Sequence, residues 1–308
     1  SGIIALLASG AAVSKKSMMR GSTIVRMECE GQAMMRGAYK FGLTPESTVD
    51  WRGRIATTVW FSQCSYRCPF CHNGDLVDAK LDTVYNTEEV VEEIARRAGL
   101  VDGVVLSGGE PLFSFAQCNA LCESLGGSLP IKLDTNGSFP SSFRDFVETW
   151  CPKHVAIDVK AAPSNYSEVV GLSHPSRLLS DSVMATVETA LAFEVPHIEL
   201  RTTVVPGLNE EDAPAIAEWM GHLSSYIHEY SVQAFKPGSC LDRFFNRIPA
   251  TPRHLLESFA GTLKGAGFNV QIVDGVATDR DFVSVTSQAE EAKEEAGNSV
   301  VLAEDLEM

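Results

Sequence analysis

The sequence has little of what defines several large classes of protein. Its apolar stretch near the start, "IIALLASGAAV", is too short to span a bilayer as a helix, and it lacks the preceding basic residues of a secretory signal. Basic residues are outnumbered, because 25 Lys and Arg stand against 40 Asp and Glu and give a net charge of −15. The chain has eight cysteines in 308 residues, and they are sparse outside one cluster.

Each shortage disfavours a kind of partner or location. A net negative charge repels the phosphate backbone of nucleic acid and the anionic surface of a membrane, so we expect neither as a partner. Thinly spread cysteines are not the disulfide framework of a small secreted domain, and they are typical of a reducing compartment. We therefore expect a cytoplasmic protein.

The composition changes at both ends of the chain. Residues 1–40 mix apolar, Gly/Ser and Met-rich pieces without a sustained period, and we expect a poorly ordered N-terminal extension. From Ser287 the chain carries seven acidic residues and one lysine, which predicts a solvated acidic C-terminal tail over residues 276–308. The composition of the whole chain is that of an ordinary globular protein, and we expect one domain over residues 41–275.

Between the ends, short β-rich runs alternate with segments of helical composition. Strands are predicted at residues 55–61, 103–107, 131–135, 154–159, 197–205 and 230–235, and helices at 87–98, 115–125, 143–150, 182–193 and 212–223. The segment 252–273 could add one more helix and an edge strand. This alternation predicts repeated βα units around a parallel sheet, whose chemistry collects on the loops at the carboxyl ends of the strands.

Three cysteines, Cys64, Cys68 and Cys71, stand in a C-x3-C-x2-C pattern directly after the first of these strands. A structural zinc needs four ligands; the adjacent His72 could nominally supply the fourth, but adjacent residues rarely both reach one metal, and no second C-x2-C pair exists. Three thiolates on a four-iron cubane instead leave one iron open to a small molecule. The spacing favours an iron–sulfur site, with a zinc-stabilised interaction domain as the alternative.

A longer set of motifs follows in the order found in a known family. The strings "CPFCHN", "SGGEPLF", "KLDTNGS", "VAIDVKAAPSNY" and "ELRTTVVPGLNEED" resemble the activating enzymes of glycyl radical enzymes, within the radical S-adenosylmethionine (radical SAM) superfamily. They are most similar to anaerobic ribonucleoside-triphosphate reductase activating proteins, with pyruvate formate-lyase activating enzyme more distant. The resemblance covers about residues 39–274 and implies a partial (β/α)6 TIM-like barrel of the radical SAM type.

The resemblance also implies an activity. A [4Fe-4S] cluster would lie on Cys64, Cys68 and Cys71, and S-adenosylmethionine would chelate its open iron. Reductive cleavage would give a 5′-deoxyadenosyl radical that abstracts hydrogen from a glycine of a partner, with an anaerobic ribonucleotide reductase as the expected partner. A low-potential donor such as flavodoxin or ferredoxin would supply the electron.

Further site residues follow from the same resemblance. Phe70 offers an aromatic face to adenine, and Gly108 and Gly109 allow the backbone to approach the methionyl ammonium, with Glu110 nearby. The resemblance implies that the remaining cofactor contacts come from Asp134, Thr135, Asn136, Asp158, Lys160, Arg201 and Lys236.

Their predicted positions suggest individual roles. Asp158 and Lys160 share one face of a strand, and the fork of Arg201 suits a carboxylate. Lys236 falls where relatives carry a histidine. The counterparts of Asp134, Thr135 and Asp158 in pyruvate formate-lyase activating enzyme hold a monovalent cation, so one could bind here.

The sequence departs from the family pattern at two places, and one alternative function shares the cysteine spacing. Relatives often place a glycine just before the first cysteine, where this chain has "SQ", and Arg52 stands where a proline is common. The same cysteine spacing occurs in enzymes that act on small molecules, such as those resembling 7-carboxy-7-deazaguanine synthase. If the substrate is a protein, residues 161–181 are the best candidates for contacting it.

Overall fold

The computed structural model describes residues 40–81 and 83–274. The predicted tail and all of the predicted extension except its last residue therefore lie outside the described residues. No helix in the described ranges is both long and apolar enough to cross a membrane.

A single sheet organises the described chain. Its strands run in sequence order, with the first antiparallel to the second and each later strand parallel to the one before it. The strands are β1 (Phe41–Ser47), β2 (Ala56–Phe61), β3 (Gly103–Gly108), β4 (Ile131–Thr135), β5 (His154–Asp158), β6 (Ile198–Val204), β7 (Glu229–Ala234) and β8 (Val270–Val273).

Helices connect the parallel strands. They are α1 (Gly74–Val77), α2 (Thr87–Arg96), α3 (Phe115–Leu125), α4 (Pro140–Trp150), α5 (Tyr166–Val169), α6 (Ser176–Ala192), α7 (Ala213–Met220) and α8 (Arg253–Gly265). Short 3-10 turns span Pro111–Ser114, Gly221–Tyr226 and Phe245–Arg247. The six predicted βα strands, the five predicted helices, and the further helix and edge strand are all present.

Local sequence explains the individual elements. All six residues of β2 are buried, as expected for a parallel strand covered on both faces. Helix α2 begins with a capping box, in which the Asn86 side chain accepts from the Glu89 amide and the Glu89 carboxylate accepts from the Asn86 amide. Helix α4 begins with Pro140, which is favoured in the first turn because it needs no backbone partner there.

The sheet is open, because β1 and β8 are its two edges and no pairing joins them within the described residues. The strands β2 to β7 with their helices form the predicted partial (β/α)6 barrel, so the fold prediction is confirmed. Strand β1 was not predicted, and it pairs antiparallel with β2 through a register shift between Thr44 and Ser47.

The connection between β1 and β2, residues 48–55, lies across the amino-terminal end of the barrel and is here called the floor loop. Trp51 of this loop is buried in a small cluster with Ala56 and Val105. A side chain on Gly103 would overlap the Trp51 ring, which explains why the strand has glycine there. The floor loop thereby packs against β2 and β3 at this end of the barrel.

Candidate active site

The three motif cysteines lie in the loop that joins β2 to α1, residues 62–73, here called the cluster loop. Cys68 is buried, Cys64 and Cys71 are partly buried, and the Cys71 amide donates to the Cys68 carbonyl at 3.0 Å. The loop follows the carboxyl end of the first parallel strand. The structure therefore places these cysteines where the sequence predicted them.

Residues 161–181 hold one side of the cluster loop. The Arg67 amide donates to the Val170 carbonyl at 2.9 Å, and a side chain on Gly171 would overlap the Arg67 carbonyl. The segment that the sequence predicted as a partner contact therefore also supports the cluster loop. Its other face is exposed, with 61% of Leu178 accessible.

The segment after β7 holds the other side of the cluster loop. The Leu241 amide donates to the Cys71 carbonyl at 3.0 Å, and the Asp242 amide donates to the Pro69 carbonyl at 2.9 Å. Backbone hydrogen bonds thus fix the loop from two directions before any cofactor is considered.

Gly108, the last residue of β3, and Gly109, which follows it, pack against the end of β2 and the start of the cluster loop. The Gly109 amide donates to the Phe61 carbonyl at 2.8 Å, and the Glu110 amide donates to the Gln63 carbonyl at 2.9 Å. A Cβ on Gly108 or Gly109 would overlap the backbone of Phe61 or Gln63 respectively. The absence of a Cβ therefore lets two protein segments pack closely here, and the approach of this backbone to the methionyl ammonium stays a prediction.

Glu110 has no exposed surface and joins two loops. Its carboxylate accepts from the Leu112 amide at 3.0 Å, the Thr135 hydroxyl at 2.9 Å and the Asn136 amide at 2.7 Å. Burial raises the pKa of Glu110 to about 7, although these three donors oppose the shift. Both Glu110 and Thr135 lie behind the wall of the site and connect the loops that form it.

Charged side chains from three strands form an alternating series of ion pairs, here called the ion-pair ladder. Lys132 lies 3.0 Å from Asp134, Asp134 lies 3.1 Å from Arg201, Arg201 lies 2.9 Å from Asp158, and Asp158 lies 2.7 Å from Lys160. Burial alone would raise the pKa values of the two aspartates, but Arg201 and the lysines hold both below the usual range. The carboxylates are therefore ionised.

The ladder bears on two sequence predictions. Asp158 and Lys160 share one face of the chain, as predicted, and Arg201 lines the same cleft. The two carboxylates bind cationic side chains in this structure, and the Thr135 hydroxyl donates to Glu110. The binding of a monovalent cation beside Asp134, Thr135 and Asp158 therefore stays a prediction.

One continuous cleft of about 1170 Å³ extends from the cluster loop into the barrel. Of the predicted site residues, it is lined by Cys64, Cys68, Phe70, Cys71, Gly108, Gly109, Asp134, Asn136, Asp158, Lys160, Arg201 and Lys236. Phe70 is almost fully buried and packs against Phe245 with ring centroids 6.5 Å apart. The strand ends thus bring together all of the predicted residues except the two behind the wall.

The donor set suits an iron–sulfur cluster. Burial raises the pKa of Cys64 to about 11 and also raises those of Cys68 and Cys71, so thiolates here require a bound cation. The Tyr66 hydroxyl is buried in the same loop without a hydrogen-bond partner among the described residues. No three Cys, His, Asp or Glu side chains in this part of the chain are arranged around a single metal ion; a cubane gives each cysteine its own iron.

Sequence reasoning missed several residues of the cleft. The position of Lys132 in the cleft could have been predicted from the sequence, because Lys132 stands two residues before Asp134 on the same face of β4. Glu199 accepts from Ser231 at 2.6 Å and lies 3.1 Å from the His154 ring nitrogen, deeper in the barrel. The orphan hydroxyl of Tyr66 has no signal in the sequence, since only the packing of the loop isolates it.

A partial barrel with three cysteines in the loop after its first parallel strand, and an open cleft beside them, defines a class of metal-dependent enzyme. The profile of the Radical SAM superfamily matches residues 58–220, more than half of the chain. The chain belongs to this superfamily, whose enzymes use a [4Fe-4S] cluster and S-adenosylmethionine, and this membership replaces the zinc alternative.

Several individual proteins are similar to this chain in sequence or in fold. A protein of Methanocaldococcus jannaschii, whose name assigns it provisionally to the glycyl-radical enzyme activating enzymes, is 27% identical over 75% of this chain and 94% of its own length. The 7-carboxy-7-deazaguanine synthase of Hyperthermus butylicus is 36% identical over 33% of this chain and 43% of its own. A radical SAM methyltransferase from Sphaerobacter thermophilus has the same fold, with a TM-score of 0.56 at 19% identity over 73% of this chain and 68% of its own.

Proposed function

We propose that the protein is an activase that cleaves S-adenosylmethionine and generates a glycyl radical on a partner enzyme. The alignment with the Methanocaldococcus protein supports this function, because it spans nearly the whole of that relative. The motif string named in the sequence analysis favours an anaerobic ribonucleoside-triphosphate reductase as the partner. A flavodoxin or ferredoxin would donate the electron.

The observation that carries the proposal is the lateral opening of the cleft. Its walls include Trp60 from β2 on one side of the open sheet, and Gln233 from β7 and Val273 from β8 on the other. A peptide segment could therefore enter from the side, whereas a small substrate would need a cover that excludes water.

The cysteines and the ion-pair ladder would have separate roles in the reaction. Cys64, Cys68 and Cys71 would hold the cluster and leave one iron for S-adenosylmethionine. When bound, these two cofactors supply one-electron reductive cleavage of a carbon–sulfur bond. Arg201 and Lys160 would orient the anionic part of the substrate, because the ladder fixes both side chains in the cleft wall.

Other predicted residues would shape the binding site. Phe70 would present its ring to the adenine, since it lines the cleft between two of the cysteines. Gly108 and Gly109 would act by packing, which holds the turn after β3 against the cluster loop. Lys236 lines the cleft on the loop after β7 and would contact the cofactor from that side.

The partner would dock beside the cluster loop. The exposed part of residues 171–178, with Leu178 at its end, adjoins the stretch that supports Arg67. Changing Leu178 to Glu should weaken radical formation on the partner without reducing cleavage of S-adenosylmethionine in its absence.

The test is an electron paramagnetic resonance experiment on anaerobically reconstituted protein. With S-adenosylmethionine, a reductant and an anaerobic ribonucleotide reductase, we expect the doublet of a backbone glycine radical. The signal should vanish with a Cys71→Ala variant of this protein and with a Gly→Ala variant at the radical site of the reductase. Stoichiometric cofactor consumption by a small metabolite, with a silent reductase, would contradict the proposal.

A second candidate is a radical enzyme that modifies a small molecule. The match to 7-carboxy-7-deazaguanine synthase favours it, because local identity reaches 36%, but that match covers a third of this chain. Analysis of the small-molecule products that form when S-adenosylmethionine is consumed, in the absence of any protein partner, separates the two candidates.

A further inference from the structure

The sulfur of Cys64 accepts two N–H groups from the surrounding chain. The backbone amide of Tyr66 donates to Sγ at 3.4 Å, as part of the turn within the cluster loop. The side-chain amide of Asn136 donates to the same sulfur at 3.5 Å. Asn136 follows β4, so this second donor reaches the cysteine from a different strand end.

Asn136 is held in one orientation by its backbone amide and by both polar atoms of its side chain. Its backbone amide donates to Glu110 at 2.7 Å, and its side-chain oxygen accepts from the Ser138 amide at 2.9 Å. The side-chain nitrogen also donates to the Ser65 hydroxyl at 3.1 Å. Because the oxygen is committed to an N–H donor, the NH2 group must face Cys64.

We propose that Asn136 tunes the cluster, by donating a hydrogen bond to the Cys64 sulfur that raises the reduction potential. Reduction adds negative charge that is shared with the ligand sulfurs, so a donor at sulfur stabilises the reduced state more than the oxidised state. The proposal rests on the cluster being bound by Cys64. It does not depend on the identity of the partner protein.

Glu110 is then a positioning residue for this donor. Its carboxylate fixes the Asn136 backbone from behind the cleft wall, and the Thr135 hydroxyl and Leu112 amide fix the carboxylate in turn. The turn after β3 thereby influences the Cys64 sulfur through Asn136 of the turn after β4.

The test compares cluster potentials by redox titration of reconstituted proteins, followed by electron paramagnetic resonance. Asn136→Leu keeps the side-chain shape and removes the donor, so the midpoint potential should fall. A tenfold weaker affinity for the electron corresponds to about 59 mV, which is the scale of one such hydrogen bond. Iron content, measured on the same samples, shows whether each variant retains its cluster.

Ser65→Ala is the matched control. It removes the second acceptor of the Asn136 NH2 group, which has two N–H donors, and leaves the bond to the Cys64 sulfur, so the potential should change much less than in Asn136→Leu. A fully loaded Asn136→Leu protein with an unchanged potential would overturn the proposal. If Asn136→Leu loses its iron, Asn136→Ser, whose side chain is too short to reach the sulfur, decides in its place, and an unchanged potential in that variant would equally overturn the proposal.

Discussion

Arg201 donates from Nε to Oδ1 of Asp158 at 2.9 Å, in the wall of the cleft, where 16% and 18% of the two side chains are exposed. Its Nη1 also lies 3.1 Å from Asp134, so one guanidinium joins carboxylates from two other strands. Removing one member of a buried ion pair leaves an uncompensated charge, which costs far more than the pair itself contributes.

Arg201→Met should therefore lower the free energy of unfolding by about 3 kcal/mol, the lower end of the range for a broken buried pair, because each aspartate keeps one lysine. Chemical denaturation of the cluster-free protein measures this change. Arg177→Met is the matched control, since Arg177 pairs with Asp181 at an exposed position and should change stability by less than about 0.5 kcal/mol. Equal effects of the two substitutions would show that the ladder is not a buried network.

The raised pKa of Glu110 predicts a pH dependence of stability. The folded carboxyl group titrates at about 7 and the unfolded one at 4.5, so the folded state binds the proton more tightly between these values. Its contribution to stability is fully present below about pH 4.5 and is lost as the pH rises towards 7.

Glu110→Gln removes this titration. The stability of the wild-type protein relative to the variant should fall by up to about 3 kcal/mol between pH 5 and pH 8, at 1.36 kcal/mol for each pKa unit. Denaturation of both proteins across this range, without cluster, is the measurement. A difference that stays constant with pH would mean that the buried carboxyl group titrates normally.

Gln63 occupies the left-handed region of backbone conformation, with φ of 70°. A non-glycine residue costs roughly 1–2 kcal/mol in this conformation, so Gln63→Gly should raise the free energy of unfolding by about 1 kcal/mol. Thermal or chemical unfolding tests the change, with Gln63→Ala expected to give no gain because alanine carries the same penalty.

The sequence predicted the parallel part of the fold well because its signals are local. Strand β2 and the strands after it are β-rich runs between amphipathic helices, and this pattern alone determines the class of architecture. Strand β1 gave no such signal, since "FGLTPES" contains a proline and polar residues and becomes a strand by pairing with β2. The floor loop was missed for a similar reason, because Trp51 is buried in part by Gly103 and Val105 of β3, which are distant in sequence.

The candidate site was predictable to the extent that strand ends converge. That rule placed Asp158 and Arg201 together without any knowledge of distances. It could not show that Glu110 points away from the cleft, because burial depends on how the neighbouring loops pack. The same limit applies to Asn136, whose contact with Cys64 joins residues that are 72 positions apart.

The most direct measurement is the iron content and 5′-deoxyadenosine release of reconstituted cysteine variants. Cys64→Ala, Cys68→Ala and Cys71→Ala should each lose cluster iron and reductive cleavage of S-adenosylmethionine, because each removes the protein ligand of one iron. His72→Ala and Cys118→Ala should keep about four irons per chain, since Cys118 is a buried thiol of α3. A folded protein that binds zinc instead of iron, or that cleaves the cofactor without these cysteines, would contradict the account.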